Sequence, residues 1–270
     1  MGRYDRALDL ARRAVELAPQ SPRAWRAFSQ ACAVEKRLPE LWPAFERALR
    51  LAPDDGGLLA DYGETLARYG RTEEAEVAMR HAVELRPRDP RVLGLLGAQL
   101  GQRARTPGRQ REAVALLERA AALAPGATEP RYRLGSLLVA SGQPAAAVPV
   151  LQRCLELDPS FAEPWLPLAQ AYQQLGRAGD AETAFAAYQR YADYRRDASQ
   201  LTLRLRQAPR SVDLLLRMAA LQEGYGRADL AARYYRQALR LRPDPAVARL
   251  AARLERSAGI AGPLSTAPEE

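Results

Sequence analysis

Proline recurs at a nearly constant spacing along this chain, usually two residues after a leucine. The prolines in this position are Pro19, Pro53, Pro87, Pro125, Pro159, Pro209 and Pro243. Their successive intervals are 34, 34, 38, 34, 50 and 34 residues. A fixed period of this length predicts an array of one repeated supersecondary unit, in which each copy buries its apolar face against its neighbours.

Other residue types keep the same phase. Alanine fills one position of the unit at Ala75, Ala113, Ala147, Ala181 and Ala231, and glycine marks its middle at Gly70, Gly142, Gly176 and Gly226. Tyr62, Leu66 and Tyr69 show the i, i+4, i+7 spacing of an amphipathic helix. Each unit is therefore predicted to hold two helices. The glycine would supply the positive φ that ends the first helix, and the proline would stop the second.

The residues in these positions follow the pattern of a known family. One unit reads Trp165, Leu168, Ala169, Tyr172, Ala181, Phe185, and another reads Leu93, Leu96, Gly97, Leu100, Ala113, Leu117, Pro125. The pattern resembles the tetratricopeptide repeat, W-x2-L-G-x2-Y followed by A-x3-F and P, over roughly residues 2–245. The resemblance implies an all-α fold, a right-handed superhelical solenoid of antiparallel helix hairpins.

The phase also predicts how the chain is divided. The predicted parts are a partial repeat or N-terminal cap helix at 1–21, six repeats at 22–55, 56–89, 90–127, 128–161, 162–211 and 212–245, a C-terminal capping helix at 246–258 and a disordered tail at 259–270. Residues 3–18 match a second helix with no first helix before them, which favours a truncated or misassigned start over a natural cap.

Two repeats depart from the regular length. The third is four residues longer, and its segment Arg103–Arg111 contains four arginines. They favour a solvated surface loop over a site that binds phosphate or an acidic peptide. The fifth lacks its terminal proline, which predicts a second helix extended by about four turns, although a break at Asp197 or Ser199 stays open. Its tyrosines Tyr188, Tyr191 and Tyr194 have helical spacing and indicate a core or an interface more than a base-stacking platform.

The net charge of +8 is concentrated near the C-terminus. Arg190–Arg256 contains 15 arginines and seven acidic residues. Because the whole chain has one lysine and no asparagine, a biased coding sequence explains the arginines as well as nucleic-acid binding does. No run of 18 apolar residues and no secretory signal is present, and two widely spaced cysteines indicate reduced core thiols. These features favour a cytoplasmic protein.

The inventory for catalysis is small. The single histidine, His81, falls at a position expected to be exposed, and Cys32 and Cys154 fall at positions expected to be buried. No phosphate-binding glycine motif occurs. We therefore expect no enzyme activity, no metal, no cofactor and no small-molecule substrate.

The family resemblance implies that the first helix of each hairpin lines a concave groove that binds the partner. Carried over by phase, the groove residues are Arg23, Arg26, Gln30, Asp61, Glu64, Arg68, Arg91, Gln102, Tyr132, Arg133, Ser136, Gln170, Gln173, Gln174, Arg217 and Glu223. The chaperone-carboxylate clamp of some members is doubtful here, because Asp61 and Leu95 stand among the clamp positions. The asparagine ladder of other members is excluded, since the chain has no asparagine.

The sequence thus predicts a non-catalytic scaffold or adaptor that binds a peptide or protein segment on the concave face. Arg68, Arg91 and Arg133 are expected to line one path that suits a segment with acidic residues. An alternative is the repeat segment of a larger bacterial enzyme or envelope-assembly protein, which would position another domain. Nucleic-acid binding is a further and weaker alternative, because no regular pair of base-reading side chains recurs.

Overall fold

The structure is a computed structural model that describes residues 3–103, 106–158 and 161–259. Within those residues the chain forms fourteen α-helices and no strand. The first nine are α1 (Arg3–Leu17), α2 (Pro22–Val34), α3 (Leu38–Leu51), α4 (Gly56–Arg68), α5 (Thr72–Leu85), α6 (Pro90–Gln102), α7 (Pro107–Leu123), α8 (Glu129–Ala140) and α9 (Pro144–Leu157). They are followed by α10 (Trp165–Gln174), α11 (Ala178–Gln207), α12 (Val212–Gly224), α13 (Ala228–Leu241) and α14 (Pro245–Ser257).

The helices form antiparallel hairpins, as the repeat predicted, and the all-α prediction is confirmed. We call α2, α4, α6, α8, α10 and α12 the first helices, and α3, α5, α7, α9, α11 and α13 the second helices. The chain separates into two compact units, Met1–Ala184 and Phe185–Glu270, with α11 contributing residues to both. Pro159, Arg105 and the predicted tail beyond residue 259 lie outside the described residues.

Most hairpins turn on one hydrogen-bonded motif at the end of the first helix. After α8, Gln143 N donates to Leu138 O at 2.9 Å and Gly142 N donates to Val139 O at 3.1 Å, while Gly142 has a φ of 68°. This is the Schellman motif, which needs a left-handed residue that glycine adopts without strain. Gly70, Gly176 and Gly226 hold the same position. After α2 the residue is Lys36, with a φ of 55°.

The two helices of a hairpin cross at a small residue of the first helix. A Cβ added at Gly97 of α6 would lie 2.8 Å from Leu117 Cγ and 3.2 Å from Ala113 O of α7. Gly63 faces Met79 of α5 in the same way. The in-phase alanines Ala75, Ala113 and Ala147 have no exposed surface. Small residues therefore set the approach of the two helices, as ridge-into-groove packing requires.

Residues 107–111 of the arginine-rich segment are helical, which corrects the expectation of a surface loop throughout 103–111. Helix α7 begins at Pro107, and the Thr106 side chain caps it by accepting from Arg109 N at 3.4 Å. Threonine followed by proline is a helix-start signal. Arg109 pairs with Glu76, and Arg103 donates to Glu73 Oε1 at 2.8 Å. These two arginines therefore already have carboxylate partners on α5.

The long helix α11 runs unbroken from Ala178 to Gln207, so the structure has no break at Asp197 or Ser199. In the unit Phe185–Glu270, Tyr194 is buried and its ring stacks on Tyr225 with centroids 4.2 Å apart. Tyr194 Oη donates to Gln222 Oε1 at 2.9 Å. Gln222 lies on α12 and Tyr225 directly follows it, so Tyr194 belongs to the core of its unit.

The last helix, α14, has one buried side and one exposed side. Ala251 and Leu254 pack into the core of their unit with Tyr235 of α13, whereas Arg249 and Arg256 are exposed. A polar outer side of this kind is what the end of a repeat array requires. Among the described helices, none combines the length and the hydropathy needed to cross a bilayer.

Candidate protein-binding face

Five first helices of the unit Met1–Ala184 present the residues that the sequence assigned to a binding groove. We call the surface that these residues form the first-helix face. It carries Arg23, Arg26 and Gln30 on α2, Asp61, Glu64 and Arg68 on α4, Arg91 and Gln102 on α6, Tyr132, Arg133 and Ser136 on α8, and Gln170, Gln173 and Gln174 on α10. Neighbouring first helices touch from α4 through α10, and side-chain hydrogen bonds join α2 to α4.

The N-terminal half of this face is a network of ion pairs around Asp61. Arg26 Nε and Gln30 Nε2 of α2 each donate to Asp61 Oδ2 at 2.7 Å. Arg91 Nη2 of α6 donates to Asp61 Oδ1 at 2.7 Å. The Asp61 side chain is 8% exposed, so it lies beneath its partners and ties three consecutive first helices together.

The three arginines expected to line a path for a partner all have carboxylate partners within the chain. Arg91 Nη2 also donates to Glu64 Oε2 at 2.9 Å, and Arg68 Nη2 donates to Glu64 Oε1 at 3.3 Å. Arg133 pairs with Glu129, one turn earlier on α8, at 2.6 Å. A partner carboxylate would have to replace or share an existing pair, which lowers the free energy it can contribute.

The C-terminal half of the face is different, because it offers uncharged polar groups that are not engaged. The amides of Gln102, Gln170 and Gln173 are exposed and make no hydrogen bond to other described residues. Gln174 Nε2 donates to Val139 O at 3.4 Å, and the ring of Tyr132 stands edge-on to Phe161. Amide side chains of this kind can bind the main chain of an extended segment through both their oxygen and their nitrogen.

A cavity of about 300 Å³ opens on this half of the face, between α6 and α8. We call it the α6–α8 cavity. Its apolar floor is formed by Gly97, Ala98, Gly101, Leu117, Leu137 and Ala140. Four residues that the sequence assigned to the groove, Gln102, Tyr132, Arg133 and Ser136, also line it. Concave, mainly apolar sites with a few polar groups are where proteins usually bind ligands.

A larger cavity of about 600 Å³ lies between α1 and α2. Five of its nine lining residues are alanine, and Leu10 and Val34 are its large exposed apolar side chains, at 65% and 59%. It contains no buried polar atom that lacks a partner, whereas the smaller cavity does. The smaller cavity is therefore the better-defined candidate site.

The residues that the sequence set aside from chemistry have ordinary structural surroundings. Cys32 and Cys154 are fully buried, and burial raises the pKa of each thiol to about 11. His81 is exposed on α5. Within the described residues, no three metal-ligating side chains of the His, Cys, Asp or Glu type come together. The expectation that the chain needs no metal stays a prediction.

Arg217 and Glu223 lie on α12, in the unit Phe185–Glu270. Arg217 pairs with Asp213 on the same helix at 3.0 Å, and Glu223 accepts from Arg253 and from the Tyr235 hydroxyl. Burial, and after it the hydrogen bond to Glu223, raise the pKa of Tyr235 to about 12. Glu223 thus holds α12, α13 and α14 together, a role that its sequence position did not reveal.

The stacked hairpins define an all-α helical-repeat protein of the solenoid class. Sequence models of the tetratricopeptide repeat match residues 43–98 and 138–205 in one form, and residues 1–40 and 98–160 in another. The chain belongs to the tetratricopeptide-repeat family, and in general terms it is a protein-interaction scaffold. It matches none of the curated proteins with which it was compared.

Solved structures with a similar fold include three kinds of repeat protein. The crystal structure of MamA protein is 18% identical with a TM-score of 0.54, covering 62% of this chain and 89% of that one. The crystal structure of the APC/C hetero-tetramer Cut9–Hcn1 is 17% identical with a TM-score of 0.59, covering 93% of this chain and 46% of that one. The human IFIT1 dimer solved with m7Gppp-AAAA is 16% identical with a TM-score of 0.55, covering 89% of this chain and 68% of that one. At identities this low, the similarity shows a shared fold and nothing about function.

Proposed function

We propose that this chain is a non-catalytic adaptor that binds an extended segment of a partner protein on the first-helix face, the concave face of the family, with the contacts centred on α6, α8 and α10. The observation that carries the proposal is the contrast between the two halves of the face. Around Asp61 the charged side chains satisfy one another. The exposed amides of Gln102, Gln170 and Gln173 have no partner among the described residues, and Gln102 lines the α6–α8 cavity.

A partner segment with acidic residues is part of the proposal, in a secondary role. Arg68, Arg91 and Arg133 remain half-exposed, so their guanidinium groups can share a further carboxylate. Each such contact at an exposed site contributes about 0.2–1 kcal/mol and weakens with salt. Hydrogen bonds from the glutamines to the partner main chain would depend less on salt.

A random dodecapeptide display library, selected on the immobilised protein, tests this proposal. The selected peptides should lose binding to the triple variant Gln102→Ala, Gln170→Ala, Gln173→Ala, because the three amides are exposed on the face. Circular dichroism should show that the variant keeps its helicity. Selection of no peptide above background, or selected peptides that bind this variant as well as the original protein, would overturn the proposal.

A matched pair of arginine variants separates the acidic contribution. Replacing Arg68, Arg91 and Arg133 by alanine should weaken the selected peptides modestly, more at low salt than at high salt. Replacing Arg50, Arg119 and Arg153 removes the same charge from second helices, where these side chains are also exposed. This control should bind the peptides as the original protein does. The reverse ranking would place the site on the second helices.

RNA binding by the unit Phe185–Glu270 is a second candidate. Most arginines between Arg190 and Arg256 make no ion pair with a described carboxylate, and the structurally similar human IFIT1 was solved with m7Gppp-AAAA. A fluorescent twelve-nucleotide single-stranded RNA is the probe. Salt-dependent binding that is lost in Arg204→Glu, Arg206→Glu, Arg210→Glu would support this candidate, and no binding at low salt would exclude it.

A further inference from the structure

The α6–α8 cavity lies beside Ala98, which is smaller than its equivalents on the other four first helices of the unit Met1–Ala184. Ala98 occupies the repeat position that holds Gln30 on α2, Glu64 on α4, Ser136 on α8 and Gln170 on α10. Among these five first helices, α6 alone places an apolar methyl group at this position of the face. The missing side chain leaves an open space beside Ser136.

Close packing prevents the neighbouring helices from filling that space. A Cβ added at Gly101 would lie 3.3 Å from both terminal methyl groups of Leu137, so α6 and α8 already touch below the cavity. At Gly97 an added Cβ would lie 2.8 Å from Leu117 Cγ. Since the backbone of α6 already packs against the Leu117 and Leu137 side chains at the floor, the space above is open to an atom group from outside.

Ser136 supplies the second and independent observation. Its Oγ is buried and is the one buried side-chain oxygen or nitrogen of the described residues that has no hydrogen-bond partner. The hydroxyls of Ser29 and Thr65, on α2 and α4, each donate to a carbonyl of their own helix at 2.8 Å. Ser136 does not use this common alternative, and it lines the cavity. An unpaired buried hydroxyl is unfavourable and infrequent in native proteins.

Of the three other polar residues at the cavity rim, Gln102 is exposed, and the remaining two contact neighbouring residues. Arg133 pairs with Glu129 at 2.6 Å, and Tyr132 stacks edge-on against Phe161. The floor carries no charged group that could compensate a buried charge. A group that fits must therefore be apolar where it meets the floor and must offer one hydrogen-bonding atom to Ser136.

We propose that the α6–α8 cavity binds one large apolar side chain of an extended partner segment, and that the Ser136 hydroxyl hydrogen-bonds to the main chain of the same residue. The proposal rests on the proposed function and names the partner chemistry at that site. The side chain buries apolar surface against α6 and α8, and the main-chain bond satisfies the hydroxyl. This residue anchors the segment, and the glutamines of α10 bind the adjoining main chain.

The anchor predicts a consensus among the dodecapeptides selected on the first-helix face. They should share one leucine-like or aromatic position, and alanine there should weaken binding at least about tenfold, because a buried side chain of this size contributes that much. Fluorescence anisotropy of the tightest selected peptide measures the effect. If the selected peptides share no such position, or tolerate alanine at it, the anchor is absent.

Three variants locate the anchor. Ala98→Leu places a side chain in the cavity and should weaken the same peptide about tenfold. Ala115→Leu makes the same change at an exposed site of α7 and should leave binding unchanged. Ser136→Ala should weaken binding about three- to tenfold while the melting temperature stays the same or rises, because no hydrogen bond of the described structure is lost.

The outcomes separate this inference from the proposed function. Peptides that depend on Gln170 and Gln173 but bind Ala98→Leu and Ala115→Leu equally would keep the adaptor function and reject the cavity as its anchor site. Unchanged binding to Ser136→Ala would reject the role of the hydroxyl. Selection of no peptide on the first-helix face would reject both.

Discussion

Replacement of Asp61 by alanine tests the ion network on the first-helix face directly. The change removes a carboxylate that accepts from Arg26, Gln30 and Arg91, each at 2.7 Å. The side chains of Arg26 and Arg91 are 32% and 50% exposed, so water can hydrate both after the change. We therefore take about 0.5–1 kcal/mol for each of the three interactions, well below the value for a fully buried pair. The expected loss in the free energy of unfolding is about 2 kcal/mol.

Thermal unfolding followed by circular dichroism measures this loss. For a chain of this size, 2 kcal/mol corresponds to a decrease of about 4–8 °C in melting temperature. Asp54→Ala is the matched control, because Asp54 is exposed and makes no hydrogen bond in the described structure; it should change the melting temperature by less than about 1 °C.

A double-mutant cycle between Asp61→Ala and Gln30→Ala should give a coupling of about 0.5–1 kcal/mol. Asp61→Ala leaves Arg26 and Arg91 without their shared carboxylate, so dodecapeptides rich in aspartate should bind the Asp61→Ala variant more tightly than the original protein. A melting temperature equal to that of the Asp54 control, together with zero coupling, would refute the network.

Three further predictions concern stability. Ala147→Arg and Ala181→Arg should each destabilise by more than about 3 kcal/mol, because the two alanines are 0% and 3% exposed and a charge would be forced between packed helices; an unchanged melting temperature would mean that the repeat phase is wrong. Lys36→Gly should stabilise by about 0.5–1 kcal/mol in urea unfolding, since the positive φ of 55° is strained for lysine, and a destabilised variant would contradict this reasoning. The hydrogen bond from Arg80 holds the pKa of Glu112 below its ordinary value. The ionised Glu112 carboxylate therefore stabilises the fold above about pH 4.5, and this stabilisation is lost as the pH falls below that value. Glu112→Gln should show a smaller acid-induced decrease in melting temperature than the original protein. Equal decreases in the two proteins would contradict a stabilising role for the Arg80–Glu112 pair.

The sequence alone determined the hairpins and their buried contacts. A repeat of fixed length places equivalent residues at equivalent contacts, so Ala75, Ala113 and Ala147 could be assigned to the core from their phase, and all three are fully buried. Local signals also fix the turns, because only a left-handed residue closes the Schellman motif after a first helix. At Lys36 this signal is absent, and only the structure shows that a lysine has the same backbone conformation.

The tertiary structure decided which polar groups of the face are engaged. The phase placed Arg91, Gln102 and Ser136 on one face, and nothing in it distinguishes among them. Arg91 reaches a carboxylate 30 residues earlier because its long side chain spans the gap between α4 and α6. Ser136 lacks a partner because Ala98 of the adjacent helix is too short to reach it and its hydroxyl makes no bond to its own helix. Such outcomes depend on the rotamers and lengths of side chains that meet across helices, whereas the repeat specifies only which backbones are adjacent.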